Sequence, residues 1–294
     1  MSFDSLAKIV DSCEQKNLDF WQVIMEEDCD ERNITSEASL KQMGDMWEAM
    51  LQASIAYQSK DHSYSGLSGG DGGKMEKYLH KKHSICDPYM CEVIMEALKM
   101  GESNACMKRI VAAPTAGACG VLPAVLVPWF CHGRGTKDDI IQALYVSAGI
   151  GQVIAARGSI SGAQGGCQAE IGSASAMAAG ALVALNKGTP KQIVHGSAIA
   201  LKGLLGLVCD PVAGLVEVPC IKRGVLGAVN AMSSADMALA GIESRIPPDQ
   251  VIDAMQDIGE KMDASLKETS LGGLAATMAG MEAKKKFEEM MENE

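Results

Sequence analysis

Three of the ten cysteines, Cys167, Cys209 and Cys220, each sit in a stretch broken by glycine or proline: Ser159 to Glu170 (SISGAQGGCQAE), Leu207 to Gly214 (LVCDPVAG) and Val218 to Arg223 (VPCIKR). Three thiolates can hold a metal centre and leave one corner open, and an open corner separates a catalytic metal site from a structural one. Spacing alone does not select this reading. No C-x-x-C pair is present, and free cysteine commonly packs as a small buried hydrophobe, the reading that suits Cys13, Cys29, Cys86, Cys91, Cys106, Cys119 and Cys131. The trio differs in its backbone, since glycine and proline let a thiol project from a loop toward a common point. Cys167 also precedes an apolar run expected to be helical from Ile171 to Asn186, and a helix start favours a thiolate. Gly165 and Gly166 beside it remove side chains that would block a bulky inorganic group.

Other residues offer weaker signals. Pro114 to Gly120 (PTAGACG) is a glycine-bearing turn whose successive amides, around Thr115, Gly117 and Gly120, can cradle a carboxylate or phosphate. It lacks the lysine of a phosphate loop, and no G-x-G-x-x-G follows a strand, so nucleotide binding is not indicated. Residues 59–75 form a polar, glycine-dense loop holding His62 and Lys74 near Lys60, Asp61 and Asp71, where a proton-transfer or carboxylate-binding group would be useful. The remaining histidines, His80, His83, His132 and His195, show no H-E-x-x-H spacing; His80 and His83 beside Lys81 and Lys82 read as one solvated face. No G-x-S-x-G elbow recommends a serine hydrolase.

The elements that must position these groups read as helices. The chain has 294 residues, 47% of them apolar but only 4% aromatic, with 31 glycines, which suits closely packed Ala-, Val-, Leu- and Met-rich helices. Leu40, Met43, Met46, Trp47, Met50, Leu51 and Ile55 recur at helical spacing behind a cap at Thr35. Residues 140–156, 171–186 and 192–206 are apolar around most of their circumference, hence central. Pro247-Pro248-Asp249 starts a further helix, and residues 281–294 end the chain as a charged helix or tail. The charge-free stretch between Arg109 and Arg134 is long enough to span a bilayer, yet prolines and glycines interrupt it, so a buried loop and short core segment are expected instead. The expectation is one mainly α domain, residues 1–294, with no strand and no repeat. A net charge of −11 argues against nucleic acid or an anionic membrane as partner, and ten dilute cysteines without a leader-like start suit reduced thiols in the cytoplasm.

Four stretches together resemble the alpha chain of the iron-sulfur-dependent L-serine dehydratases: Ser65 to Asp71 (SGLSGGD), Arg109 to Gly117 (RIVAAPTAG), Gly166 to Gly172 (GCQAEIG) and Cys209 to Cys220 (CDPVAGLVEVPC). The resemblance implies that Cys167, Cys209 and Cys220 bind three irons of a [4Fe-4S] cluster, with the fourth iron open to substrate, and that no pyridoxal phosphate takes part. It implies conversion of L-serine to pyruvate and ammonia, an oxygen-sensitive centre and a beta chain as partner. Substrate would be held by Ser65, Thr115, Gly117 and Gly120, with Lys74 as cation and His62 as base. Single-chain relatives add a further domain and can place a C-terminal cysteine on the fourth iron, whereas this sequence ends MMENE. Alternatives are a related cysteine desulfidase, or a protein holding a structural zinc or a cluster in transit.

Overall fold

The computed structural model describes residues 3–79, 81 and 84–292, and the described residues form helices with no strand. In chain order these are α1 (Leu6–Lys16), α2 (Phe20–Arg32), α3 (Ser36–Ile55), α4 (Asp71–Leu79), α5 (Pro88–Ala105), α6 (Val121–Cys131), α7 (Lys137–Arg157), α8 (Gly162–Gly165), α9 (Ser173–Leu185), α10 (Pro190–Lys202), α11 (Cys220–Leu239), α12 (Pro248–Lys261) and α13 (Met278–Glu292).

The most uniformly apolar segment occupies the centre. Helix α9, SASAMAAGALVAL, is buried on every face and lies among α6, α7, α10 and α11. Its small side chains let neighbouring helices approach closely, and its polar atoms find partners inside the core. The Ser175 hydroxyl donates to Gly227 O at 2.8 Å and accepts from Asn230 Nδ2 at 2.9 Å, while that amide also donates to Ala200 O, tying α9, α10 and α11 together. At the periphery the expected cap is present: Thr35 Oγ1 accepts from Ala38 N–H at 3.2 Å and opens α3.

The apolar stretch after Arg109 becomes a loop, a single 3-10 turn at Ala116–Ala118 and the buried α6, whose eleven residues are too few for a bilayer. One described helix, α7, is long and apolar enough to cross a membrane, but it packs against α2, α3 and α9. The chain end forms α13, which lies against the Val212–Gly214 turn and brings Phe287 edge-on to Tyr64.

The glycine-dense loop is shorter than its composition implies. Asp71 to Met75 already belong to α4, because Glu102 of α5 reaches across to cap it: Oε1 accepts from Asp71 N–H at 2.6 Å and Oε2 from Gly72 N–H at 3.1 Å. A capping carboxylate supplied from 31 residues away stabilises a helix start whose own Gly-Gly sequence opposes it. His80, Lys82 and His83 lie outside the described residues.

Candidate active site

A tight turn and an irregular helix bring the site together. Gly166 has φ +76°, and a Cβ there would stand 2.9 Å from Leu207 O and 2.7 Å from Met262 Sδ, so only glycine fits both the conformation and the space. The chain then enters a single π turn, Gln168–Gly172, before α9 begins. Such turns widen the helix and are enriched at functional sites. Gln168 anchors this one: its N–H donates to Leu207 O, its Nε2 to Met255 O, and its Oε1 accepts from Gly206 N–H. Cys209 is fixed from the other side, its N–H donating to Leu266 O and its carbonyl accepting from Glu268 N–H, both at 2.8 Å. As a result the Cys167 thiol, a Glu170 carboxylate oxygen and the Cys209 thiol lie within 4.8 Å of one another.

Charge is arranged around this cluster. Nη1 of Arg223, three residues into α11 from Cys220, lies 3.6 Å from Cys167 Sγ and 2.8 Å from Val208 O. It also pairs with Asp210 Oδ1 at 2.8 Å, and the Asp210 side chain is only 3% exposed. The hydrogen bond from Cys209 and then the Arg223 cation hold the Cys167 thiol below its ordinary range. Cys209 is pushed up, by that same bond and by burial. Burial raises the Glu170 carboxyl against the hydrogen bond its Oε1 accepts from the Thr115 hydroxyl at 2.7 Å.

Cys220 is buried at the first residue of α11, outside the 4.8 Å group. Burial, then negative charge at Cys167 and Glu170, pushes its thiol up to about 12. It lines a narrow crevice together with Gly117, Gly120 and Asn104. The donor set suits an iron-sulfur group: soft thiols, a neighbouring cation and a backbone that carries no side chain at Gly162. Gly162 lets the backbone approach closely, because a Cβ there would stand 2.7 Å from Glu170 Oε2 and 3.1 Å from Cys209 Sγ.

The other residues singled out from sequence are distributed around this centre. Thr115 and Gly117 both face Glu170, whereas Gly120 packs directly on Ala97 O of α5. Ser65 donates its hydroxyl to Glu217 Oε1 at 2.8 Å. Lys74 projects from α4, 77% exposed, and pairs with Asp71, which Lys222 also engages. His62 is exposed, its Nδ1 at 3.0 Å from Lys60 O. Sequence reading missed Glu170, Asp210, Glu217 and Arg223. Glu170 and Arg223 each follow a singled-out cysteine by three residues, the spacing at which one helical turn returns a side chain to the same face.

A family model for the serine dehydratase alpha chain matches residues 15–275. The chain is 44% identical over 288 residues to a probable L-serine dehydratase alpha chain of Bacillus subtilis, covering 97% of this chain and 95% of that protein. It is 38% identical over 285 residues to the L-serine dehydratase alpha chain of Peptoniphilus asaccharolyticus, covering 95% and 96% respectively. A longer relative, the L-serine dehydratase of Mycobacterium tuberculosis, is 46% identical over 192 residues, covering 64% of this chain but 42% of that protein. With its buried thiols, their carboxylate neighbour and this match along nearly its whole length, the chain belongs to the serine dehydratase alpha chain family.

Proposed function

We propose that this chain is the catalytic alpha subunit of an L-serine dehydratase, forming pyruvate and ammonia from L-serine in one domain spanning residues 1–294, with a [4Fe-4S] cluster held by Cys167, Cys209 and Cys220. The observation that carries this reading is the convergence of Cys167, Glu170 and Cys209 beside Arg223, in a chain matched to serine dehydratase alpha chains over residues 15–275. When bound, the cluster supplies a Lewis-acidic iron without a protein ligand, which stabilises negative charge leaving as hydroxide.

The chain's own residues supply the remaining functions. Arg223 balances thiolate charge in a water-poor setting, where an unpaired charge is costly. Glu170, with Oε1 held by Thr115 and its carboxyl raised by burial, is placed to carry a proton at Oε2, which packs against Gly162. Amides of Thr115 to Gly120 and the Ser65 turn bind the amino acid, Lys74 supplies a cation for its carboxylate once released from Asp71, and His62 is the base that takes the α proton. Loss of water across the Cα–Cβ bond gives aminoacrylate, whose imine tautomer hydrolyses to pyruvate and ammonia. A beta chain completes the site, and the reduced thiols suit a cytoplasmic setting without pyridoxal phosphate.

One observation favours a second reading: the donors gathered within 4.8 Å are two thiols and a carboxylate rather than three thiols, a set that also suits one mononuclear metal ion. A single experiment separates the two. The chain is reconstituted anaerobically with iron and sulfide, its metal and acid-labile sulfide are measured, and pyruvate is assayed from L-serine and L-cysteine with and without the second chain. Stoichiometric sulfide with serine-dependent pyruvate supports the dehydratase; zinc without sulfide and no pyruvate overturns it. Faster turnover of L-cysteine than L-serine would make the protein a desulfidase.

A further inference from the structure

Glu217 is a buried carboxylate near the site, 5% exposed and three residues before Cys220, and hydroxyls rather than a cation hold it. Three serine hydroxyls from a distant loop converge on it. Ser63 donates to Oε2 at 2.7 Å, Ser68 to Oε2 at 2.6 Å and Ser65 to Oε1 at 2.8 Å. Each hydroxyl of the first turn is also a relay: Ser63 Oγ accepts from Ser68 N–H, and Ser65 Oγ from Leu67 N–H. Backbone bonds from Ser63 N–H to Ser68 O and from Gly66 N–H to Ser63 O close the turn on itself. The main chain of Glu217 is committed in the opposite direction, since its carbonyl accepts from Ile221 N–H in the first turn of α11, where Cys220 sits.

We propose that Glu217 is a positioning residue that locks the 63–68 serine turn to the start of α11, so that the substrate-binding turn and the Cys220 thiol are held in one fixed relation. This rests on the serine dehydratase reading. A carboxylate is required because it offers two oxygens and only acceptor sites, enough for three hydroxyl donors; an amide offers one acceptor oxygen and turns two donors toward the serines. Hydrogen bonds to a charged acceptor are also the strong ones, so a turn rich in conformationally free glycine is fixed largely by this single group. The lock has a chemical consequence for the turn. With their O–H groups directed at Glu217, the serines present lone pairs, not donors, to anything that binds beside them.

The test uses the full chain, reconstituted anaerobically with iron and sulfide and combined with its second chain. Three quantities are read: amide exchange of residues 63–70 without substrate, KM and kcat for L-serine, and bound iron. Glu217→Gln is expected to speed exchange at Leu67 and Ser68 about tenfold and to raise KM about tenfold, with kcat changed less and iron retained, the size following from losing charged hydrogen bonds. Glu217→Asp, which keeps both oxygens, should recover part of each effect. Wild-type exchange and KM in Glu217→Gln would overturn the proposal. So would loss of iron with exchange unchanged, because Glu217 would then serve α11 alone. If Glu217→Gln does not fold, Ser68→Ala decides: it keeps the carboxylate, and unchanged exchange with unchanged KM overturns the lock. A wild-type preparation that makes no pyruvate defeats the dehydratase reading instead, while the exchange measurement still decides whether Glu217 holds the turn.

Discussion

The Arg223 guanidinium stands 3.6 Å from the Cys167 thiol while pairing at 2.8 Å with Asp210. One cation thus serves both a carboxylate and a thiol that would have to ionise to bind a metal. Desolvated charges are tolerated only when partnered, so Arg223 makes the Cys167 thiolate accessible in a place where burial alone would suppress it.

Arg223→Gln is therefore expected to raise the Cys167 pKa. A folded-state pKa below the ordinary value means that thiolate appears at lower pH; removing the cation moves that onset upward. Alkylation of Cys167 in the metal-free protein by a small iodoacetamide reagent, followed by mass spectrometry across pH, reads this directly. The same variant leaves Asp210 short of a partner and should cost about 3 kcal/mol in stability. An alkylation profile that does not move would remove Arg223 from the account of the thiolate.

Cys167→Ser, Cys209→Ser and Cys220→Ser should each abolish bound iron and sulfide, because a hydroxyl is a far poorer ligand for a soft metal than a thiolate. Serine at Cys29 or Cys131 should not. Full iron retention in Cys220→Ser, the member outside the 4.8 Å group, would favour the mononuclear alternative with Glu170 as a ligand.

Gly162→Ala tests the close packing around Glu170 and Cys209. The added Cβ lies 2.7 Å from Glu170 Oε2, closer than such contacts normally come, and 3.1 Å from Cys209 Sγ. Cluster loading and serine turnover should fall by about tenfold or more, with a stability loss of only about 1–3 kcal/mol from overpacking. Wild-type iron content and turnover in this variant would show that neither depends on the close packing at Gly162.

Asp139 gives a pH signature in the scaffold, away from the site. The Thr136 backbone N–H, then the Thr136 hydroxyl and Lys187, lower its carboxyl to about 2. A depressed folded-state value stabilises the fold above the unfolded value near about 4 and is lost as pH falls toward about 2. Asp139→Asn should thus cost about 1 kcal/mol near neutral pH, with the gap from wild type closing between about pH 4 and pH 2 in denaturant titrations. A gap independent of pH would place the effect in the amide itself.

Lys74→Ala and His62→Ala, measured as serine turnover with cluster content matched to wild type and the second chain present, test the two groups chosen from sequence. Lys74→Ala should raise KM and His62→Ala should lower kcat, each by about tenfold or more. Unchanged kinetics in both would leave the acid-base work to Glu170.

Much of the scaffold was legible because its signals are local. Thr35, Pro248 and the runs that became α7, α9 and α10 carry caps and periodicity within a few residues. The start of α4 was not, since its capping carboxylate comes from Glu102. The site follows the same division. Glycine and proline context pointed to the three cysteines, but the partners that define their chemistry are set by contacts across the chain: Glu170 by a π turn, Arg223 by its reach from α11, and Glu217 by three serines some 150 residues earlier. The three-residue spacing after Cys167 and Cys220 is a local signal for Glu170 and Arg223, but no local pattern encodes the pairing of Arg223 with Cys167 or of Glu217 with the serines.

The backbone bonds that hold Cys209 to Leu266 and Glu268, and the bond from Leu274 N–H to the Asp210 carboxylate, carry a consequence for biosynthesis. The thiol-bearing turn at 209 is completed by residues that follow it by more than fifty positions, close to where the family match ends at residue 275. A chain still emerging from the ribosome therefore presents Cys167 and Cys209 without the segment that fixes them. Any metal that requires the finished geometry of this turn can be bound only after residues 266–274 have been made.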